Sequence, residues 1–382
     1  MFAVLMGAAV AAAVVLIEFG LRLFHRHFSK EYFYPPSRRT VFSIHPEISP
    51  SLAAESEFRT NVWGERGDDP PRPDRLYRGL VVGGSAAECA LLDQAQSWPM
   101  QIQFQLEESR RRGELNAGGV YVGSMSRSGL DVKGIRLALS RLQPLNPPLD
   151  FIVVHCGPSD FTRWMDYGTP ADGRVPAMSD VQVLQVCRSQ QFGFKPKSSA
   201  LAFYARKVAG RLFGRVERRR IGRYPVESRK LRAASLPHVP LAVDPQPFFD
   251  EFRNNLLELV ESCRIHARHV IILPQLWLAP AQPSPETEAM LWFGRLHRAA
   301  GDVEGEAKFL LHSEVERLFA GVYDIAAELA AIPGVHALPL RGSFPQEPRY
   351  FYDDDHFTPE GAALTGRLLA GKILDIEASS QL

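Results

Sequence analysis

The 382-residue sequence has no marked excess of either charge, since 44 Lys and Arg side chains face 43 Asp and Glu. Proteins dedicated to binding nucleic acid are normally basic, so this balance argues against that class. Cysteine is scarce as well: four residues lie far apart, without a CxxC pair or a ligand-like cluster, which excludes a disulfide-stapled miniprotein. Hydrophobic residues make up 45% of the chain, enough to bury a core and to exclude a wholly disordered protein.

One long hydrophobic run stands at the amino terminus. Its first 17 residues carry no charged side chain, and the apolar character continues to Phe24 with one break at Glu18. A helix over Phe2–Phe24 is about 33 Å long, which spans a hydrocarbon core of about 30 Å. We therefore predict an uncleaved, single-pass transmembrane anchor over residues 1–24.

Two other interpretations of this run stay open. A cleaved signal peptide needs a basic start and a small-x-small cleavage site, neither of which is clear, and a buried N-terminal helix would have a similar composition. Glu18 and Arg22 are four residues apart and are expected to pair near one membrane interface. Basic residues follow the run, so the positive-inside rule places the bulk of the chain in the cytoplasm. These residues are Arg22, Arg26, Lys30, Arg38 and Arg39.

The rest of the chain divides into a predicted linker and an α/β body. Residues 25–76 are rich in His, Pro and Arg and are interpreted as a juxtamembrane segment and linker. In 77–382, short apolar runs alternate with helical patterns, which predicts a central parallel sheet covered by helices on both faces. The predicted strands are Gly79–Val82, Gly119–Ser124, Asp150–His155, His269–Leu273 and Val335–Leu340. The predicted helices are Ser97–Arg112, Asp131–Leu142, Phe248–His266, His312–Ala331 and Pro359–Ile376.

A basic stretch interrupts this alternation inside an insertion at about 170–245. Between Lys195 and Arg232 there are 13 Lys and Arg residues and two acids. Apolar residues from Phe203 to Val216 recur at helical spacing, which predicts a basic amphipathic helix. Three interpretations stay open: a solvated helix lying over the domain, a helix resting on anionic lipid headgroups, and a nucleic-acid binding element.

Small and polar residues follow the predicted strands, at the sheet edge where ligands bind in parallel α/β folds. The turn Gly83-Gly84-Ser85 leaves a hydroxyl exposed at a helix N-terminus. Gly129 follows the second strand, and Gly157-Pro158-Ser159-Asp160 follows the third. Near the C-terminus, Asp353 precedes His356 by three residues, so its carboxylate can hold the imidazole in one tautomer. A metal site in this acidic run is the weaker alternative, because it contains only one histidine.

In this order the four segments resemble the SGNH/GDSL hydrolase family, in its membrane-anchored bacterial type. Gly83-Gly84-Ser85 looks like the first block of that family, Gly129 the second, Gly157–Asp160 the third and Asp353-x-x-His356 the fifth. The resemblance covers about 77–376, and the segment 58–67 is similar to a lead-in of anchored members. It implies a flavodoxin-like three-layer fold and serine ester hydrolysis, with neither a metal nor an organic cofactor.

The resemblance also implies roles for individual residues. Ser85 would be the nucleophile, His356 the general base and then the acid, and Asp353 the residue that orients His356. The oxyanion hole would use the backbone N–H groups of Ser85 and Gly129 and the side chain of Ser159. The family usually has Asn at the position of Ser159, and a hydroxyl is shorter than a carboxamide. Losing one such donor typically costs on the order of 10²–10³ in rate.

The position of the second block has an alternative alignment. Placing the block two residues earlier would put Arg127 in the oxyanion hole, whereas the preferred alignment on Gly129 needs no bulky side chain there.

These observations lead to one principal functional expectation and two rivals. The principal one is a membrane-anchored serine esterase, with O-acetyl groups of an envelope glycan as one candidate substrate. The rivals are an O-acyltransferase acting on envelope polysaccharide and a non-catalytic binding module that keeps the fold, the latter suggested by Ser159. The expected partners are an ester, with an acylated carbohydrate as a candidate, and the membrane, but no nucleic acid. Because anchored members of the family are expected outside the cytoplasm, we expect the soluble domain of this single-pass protein there as well, against the flanking charges.

Overall fold

The computed structural model describes residues 2–72, 74–143, 147–193, 195–213, 216–279, 283–296 and 307–380. Its strands are β1 (Arg38–Ile44), β2 (Glu55–Thr60), β3 (Leu76–Gly83), β4 (Gly119–Ser126), β5 (Leu149–Cys156), β6 (Glu217–Ile221), β7 (Ala267–Pro274), β8 (Arg295–Leu296), β9 (Lys308–Phe309) and β10 (Val335–Ala337).

The helices of the described ranges vary from single turns to 27 residues. They are α1 (Phe2–Phe28), α2 (Ser85–Glu88), α3 (Trp98–Arg111), α4 (Val132–Leu142), α5 (Pro158–Asp166), α6 (Asp180–Val183), α7 (Ala200–Phe213), α8 (Arg223–Ala234), α9 (Gln246–His266), α10 (Pro285–Glu288), α11 (His312–Leu329) and α12 (Pro359–Ser379).

A five-stranded parallel sheet in the order β10-β7-β5-β3-β4 forms the centre of the fold. Successive residues of its strands enter two different cores, because side chains alternate across a sheet. Leu80 packs in one core with residues of α4, α9 and α11, whereas Val81 packs in the other with residues of α3 and α12. The predicted three-layer α/β fold is therefore confirmed.

The five predicted strands and five long helices are all present, with boundaries displaced by a few residues. The largest differences are of three residues, and one of them is at β10, which ends at Ala337 instead of Leu340. A turn closed by the Leu340 N–H and the Leu338 carbonyl follows it. The last helix starts as its sequence predicts, with the Thr358 hydroxyl accepting the Gly361 N–H at 3.2 Å and Pro359 in the first turn.

The segment 25–76 contains structure that the linker interpretation did not anticipate. β1 pairs antiparallel with β2 and parallel with β6 from the insertion. Phe33 and Phe58 are buried in the main core, and Arg66 reaches the carbonyls of Glu88 and Leu92 beside the site described below. The short strands β1 and β2 each leave residues on the solvent side, so their apolar pattern is weak in the sequence. Where the body begins relative to residue 77 stays a prediction.

Helix α1 extends along the predicted anchor. Within the described ranges, one helix is long and apolar enough to cross a membrane, with a candidate span of 25 residues over Val4–Phe28. Its apolar side chains are exposed, and Glu18 and Arg22 pair at 2.7 Å as predicted. A signal sequence has the same length and composition, so α1 by itself indicates a membrane-directed segment.

In its described residues, the predicted insertion contains α6, α7, β6 and α8 between α5 and α9, with a short 3-10 helix over Pro196–Ser198 before α7. The basic amphipathic helix corresponds to α7. Not every basic residue of the insertion lies at the surface, because Arg232 of α8 is buried and pairs with Glu288. Arg229 is also turned inward, as its contacts near the site show below.

Candidate active site

The turn after β3 presents Ser85 at the carboxyl edge of the central sheet. β3 ends at Gly83, and Ser85 is the first residue of the short helix α2, with Gly84 at the position before it. A Cβ at Gly84 would lie 2.6 Å from the Ser159 Oγ, so a side chain at this position would push the Ser159 hydroxyl away from its place beside Ser85. Ser85 and Ser159 remain half-buried and face the same recess.

His356 lies between the serine hydroxyl and a buried carboxylate. Its Nε2 is 2.8 Å from the Ser85 Oγ, and its Nδ1 is 2.9 Å from the Asp353 Oδ1. The structure thus brings together the three residues that the sequence selected from two ends of the chain. In this arrangement an Nδ1–H donates to Asp353 and leaves Nε2 free to accept the hydroxyl proton.

Asp353 is held by a set of donors that fixes its two oxygens. Its Oδ1 accepts the backbone N–H groups of His356 at 2.9 Å and Asp355 at 3.2 Å, and its Oδ2 accepts the indole N–H of Trp292 at 3.0 Å. The ring of Tyr352 lies nearly parallel to the imidazole, with 5.5 Å between centroids. These contacts restrict both the carboxylate and the imidazole to one orientation.

Two further carboxylates of the same run differ in their surroundings. The Asp355 Oδ1 lies 3.0 Å from the His356 Nδ1, which gives the imidazole a second acidic neighbour. Asp354 faces away from His356 and accepts the backbone N–H groups of Trp292 at 2.7 Å and Phe293 at 3.0 Å. Asp354 therefore anchors the loop that carries the Trp292 indole to Asp353.

The buried charges shift the pKa values of the site. Burial alone would lower the pKa of His356, but the carboxylates of Asp353 and Asp355 hold it well above its ordinary value. Burial raises the pKa of Asp355, and the negative charge of Asp353 adds to this effect. For Asp353, burial is outweighed by His356 and by Arg229, so its pKa lies below the usual range. A protonated imidazole is therefore stabilised here, as an intermediate of acyl transfer requires.

Ser159 lines the recess beside Ser85, whereas Gly129 does not, and the oxyanion-hole role of Ser159 stays a prediction. A recess of about 240 Å³ opens beside Ser85 and is lined by Ser159, Gln275 and Asp355, with Leu130 in place of Gly129. Gly129 has a φ of +75° in the exposed turn after β4, a conformation that favours glycine. Its predicted contribution of an N–H stays a prediction. The side chain of Arg127 turns away to the Gln182 carbonyl.

Glu88 connects the serine helix to the loop after β4. One of its oxygens accepts both the N–H and the hydroxyl of Ser128, at 2.8 and 2.7 Å. The other oxygen accepts the Tyr34 hydroxyl at 3.1 Å. Because Glu88 lies three residues after Ser85, these bonds position the second predicted block relative to the nucleophile.

Several residues at the site were missed by sequence reasoning. No sequence signal indicates that Trp292 donates to Asp353, because no local motif links the two residues. Arg229 donates to the carbonyls of Ile48, Met290 and Tyr352 at 2.6–2.9 Å and so joins three separate segments beside Asp353. Asp355 was missed as well, although the sequence contains a signal for it, since it belongs to the run of three aspartates next to His356.

His155 is a second histidine on the recess, at the end of β5. It lies 5.8 Å from the Trp98 ring, and its Nε2 has no hydrogen-bond partner among the described residues. Burial, followed by the nearby charge of His356, lowers the pKa of His155 to about 3, so it stays neutral.

A metal-binding alternative was also considered for the acidic run. Asp353, Asp355 and His356 offer ligand atoms within 4.8 Å of one another, all buried. The same imidazole joins Asp353 to the Ser85 hydroxyl through its two nitrogens, which is the geometry of an activated serine.

Fold and site together define a three-layer α/β structure with a Ser–His–Asp arrangement at the carboxyl edge of its sheet. No family model and no curated protein matches the chain. Among solved structures it is similar to the acetylxylan esterase Axe2 from Geobacillus stearothermophilus, with 11% identity, a TM-score of 0.39, and coverage of 78% of this chain and 94% of that one. It is also similar to TesA, with 13% identity, a TM-score of 0.38 and coverage of 78% and 99%.

A third similar structure is a lipase/acylhydrolase from Enterococcus faecalis, with 11% identity, a TM-score of 0.39 and coverage of 78% and 96%. At such identities the similarity concerns the fold. The chemistry of this protein is therefore inferred from its own side chains.

Proposed function

We propose that this protein is a membrane-anchored serine esterase of the SGNH type, with Ser85 as nucleophile. The observation that carries the proposal is the hydrogen-bonded chain from the Ser85 Oγ through both nitrogens of His356 to Asp353, at 2.8 and 2.9 Å. A serine hydroxyl is a weak nucleophile at neutral pH and needs an adjacent oriented base to react. These contacts supply that base.

In the first half of the reaction, the Ser85 Oγ attacks the ester carbonyl carbon while its proton moves to the His356 Nε2. The carbonyl oxygen becomes an oxyanion, and Asp353 stabilises the imidazolium. When the tetrahedral intermediate collapses, the bond to the alcohol oxygen breaks and the His356 Nε2 returns the proton to that oxygen. An acyl-serine remains, and the alcohol leaves.

In the second half, water enters on the same side. The His356 Nε2 takes a proton from water as its oxygen attacks the acyl carbon, and then returns the proton to the Ser85 Oγ as the acid is released. The oxyanion would be met by the N–H groups of Ser85 and Gly129 and by the Ser159 hydroxyl. Ser159 lines the same recess as Ser85, which supports the last of these.

The surroundings of the site favour an ester of a short acyl group on a carbohydrate. The recess beside Ser85 is small and half of its lining residues are polar, which suits an acetyl group better than a long chain. Beside it, Trp292 is half-buried and contacts the exposed ring of Tyr224 edge to face at 5.6 Å. Aromatic rings with one open face suit the apolar face of a sugar. If a sugar hydroxyl replaced water in the second half, the same site would act as an O-acyltransferase.

Contacts of α1 support an uncleaved anchor rather than a removed signal sequence. His25 is 1% exposed, and its two ring nitrogens contact the Tyr204 hydroxyl and the Cys187 carbonyl at 3.1 and 2.8 Å. Removing α1 would take this partner away from the half-buried Tyr204 hydroxyl and from the Cys187 carbonyl. We therefore include the helix in the working protein.

The test uses the full chain in detergent with p-nitrophenyl acetate and with an acetylated oligosaccharide. Ser85→Ala is expected to lower kcat by a factor on the order of 10⁶, as removal of a triad serine does, and to abolish labelling by a fluorophosphonate. Ser140→Ala, on the exposed side of α4, is the matched control and should keep full activity. Equal activity of Ser85→Ala and the parent would refute the esterase and favour a non-catalytic module.

A further inference from the structure

The last turns of α1 are joined to the first turn of α7 by charged and polar contacts. The two oxygens of Glu18 accept the backbone N–H groups of Ala200 and Leu201 at 2.9 and 2.8 Å, which are donors that a helix start leaves unpaired. Arg22 donates to Glu18 at 2.7 Å and to the Gly193 carbonyl at 2.7 Å. The apolar run is therefore broken at Glu18 for a structural reason.

Aromatic side chains extend this contact toward the end of α1. The ring of Phe24 lies 5.9 Å from that of Tyr204, and His25 packs edge to face against Phe192 and Phe203. Together with the hydrogen bonds of His25, these contacts fix the insertion to the helix. The position of α7 thus follows the position of α1.

The contact lies inside the stretch of α1 that can span a membrane. The candidate span covers Val4–Phe28, and contacts with α7 begin at Glu18. The part before them, Val4–Ile17, rises about 21 Å at 1.5 Å per residue, which is short of a hydrocarbon core of about 30 Å. The boundary of the hydrocarbon therefore falls beside α7, where the pairing of Glu18 offsets the cost of a charge at that depth.

The exposed surface of α7 and the end of α1 combines apolar and basic groups. Val208 is 55% exposed, and Leu201, Phe24 and Phe28 are exposed as well. Exposed basic residues lie before and within α7, namely Lys195, Lys197 and Arg206. Apolar side chains with neighbouring positive charges are the composition of helices that lie at a membrane interface.

We propose that α7 rests on the anionic headgroups of the same membrane that α1 crosses, and so holds the catalytic body at a set orientation to that surface. The Lys and Arg side chains complement anionic lipid, and the apolar side chains enter the boundary of the acyl region. This inference rests on the anchor of the proposed function but not on its ester chemistry.

The test places a dye on α7 in the full chain, reconstituted in vesicles. Val208→Cys is labelled with an environment-sensitive maleimide dye; all four native cysteines are buried, so the new thiol is the reactive one. Ile265→Cys, at a 79% exposed site on α9, is the matched control. Vesicles contain phosphatidylcholine alone or mixed with phosphatidylglycerol. Quenching is measured with iodide in water and with lipid that carries a nitroxide near its headgroup.

In anionic vesicles we expect the dye at position 208 to be quenched by the lipid nitroxide and shielded from iodide, and the dye at 265 to show the reverse. Adding Arg206→Gln should lower the ratio of lipid-contacting to water-exposed dye about five-fold in anionic vesicles, because one basic residue near such a surface contributes about 1 kcal/mol. The same substitution should have no effect in phosphatidylcholine alone.

Three results would overturn the inference. The first is equal access of iodide to the dyes at 208 and 265. The second is shielding from iodide without quenching by the lipid nitroxide, which would mean that a polymer or protein covers α7 instead of lipid. The third is release of the protein from the vesicles by alkaline carbonate, which would show that α1 does not span the membrane. If the lipid nitroxide quenches the dye at 208 as expected but no Ser85-dependent hydrolysis is found, the ester chemistry is refuted and the inference about α7 is not.

Discussion

The second carboxylate on His356 leads to a quantitative prediction about pH. His356 must be neutral to accept the serine proton, so kcat/KM rises with pH through the pKa of this residue. The carboxylates of Asp353 and Asp355 hold that pKa above its ordinary value of about 6.5. The acidic limb of the pH profile is therefore expected above pH of about 6.5 in the parent protein.

Asp355→Asn should move this limb to lower pH. A negative charge favours the imidazolium, so removing it lowers the pKa of His356. An opposite charge within about 4–6 Å typically shifts a pKa by about 1–3 units, and the Asp355 Oδ1 is 3.0 Å from Nδ1. Burial raises the pKa of Asp355 itself, which opposes this effect. A shift in the lower half of that range, about 1–2 units, is therefore expected.

The assay is the pH dependence of kcat/KM on p-nitrophenyl acetate, with the solvent-exposed Asp375→Asn of α12 as a control for the same change in charge. The control should leave the limb in place. Thermal unfolding of each variant, followed by circular dichroism, shows whether the fold is kept. A limb that stays unchanged or moves to higher pH in a folded Asp355→Asn would refute the electrostatic role of this residue.

Three further predictions concern the donors around the site and one buried ion pair. Trp292→Phe keeps the ring but removes the 3.0 Å bond to Asp353, so kcat/KM should fall about ten-fold, as loss of a hydrogen bond to a charged group predicts; an unchanged value would contradict this. Ser159→Ala should lower kcat by about 10²-fold if the hydroxyl meets the oxyanion, measured as initial rates, whereas no loss would exclude that role. The Arg78–Glu65 pair is buried, at 1% and 0% exposure with 2.7 Å between charges. Glu65→Gln should lower the unfolding free energy in urea by about 3–5 kcal/mol, and a loss below 1 kcal/mol, the usual range of an exposed pair, would contradict this.

Local sequence patterns predicted the central sheet well because its strands are buried on both faces. β3 and β5 are apolar almost throughout, and the chain marks their ends with glycine or proline. The strands of the 25–76 segment were missed for the opposite reason. β1 and β2 have one exposed side and contain Arg, Glu and Ser, so their pairing depends on partners far away, including β6 of the insertion.

The basic insertion was the least predictable part of the body. Its residues looked alike in sequence, yet Arg229 donates to three carbonyls next to the candidate site, Arg232 is buried against Glu288, and Arg206 remains exposed. The sequence shows that a residue is charged, but not whether its side chain points into the protein or to solvent. Only the packing of α8 against distant loops separates a structural arginine from a surface one.

The order of motifs along the chain was enough to select Ser85, Asp353 and His356 and to predict the parallel sheet that presents them, because strand periodicity and turn chemistry are local properties. Tertiary structure decided the rest. Trp292 and Arg229 act on Asp353 from segments far away in the chain, and Gly129 fell outside the recess beside Ser85. Asp355 is next to His356 in the sequence, but only the folded turn brings its carboxylate to the imidazole Nδ1. Likewise, the sequence shows that Glu18 interrupts the apolar run. Its bonds to α7 form only when α1 and α7 pack together, because this brings Glu18 next to Ala200, 182 residues further along the chain.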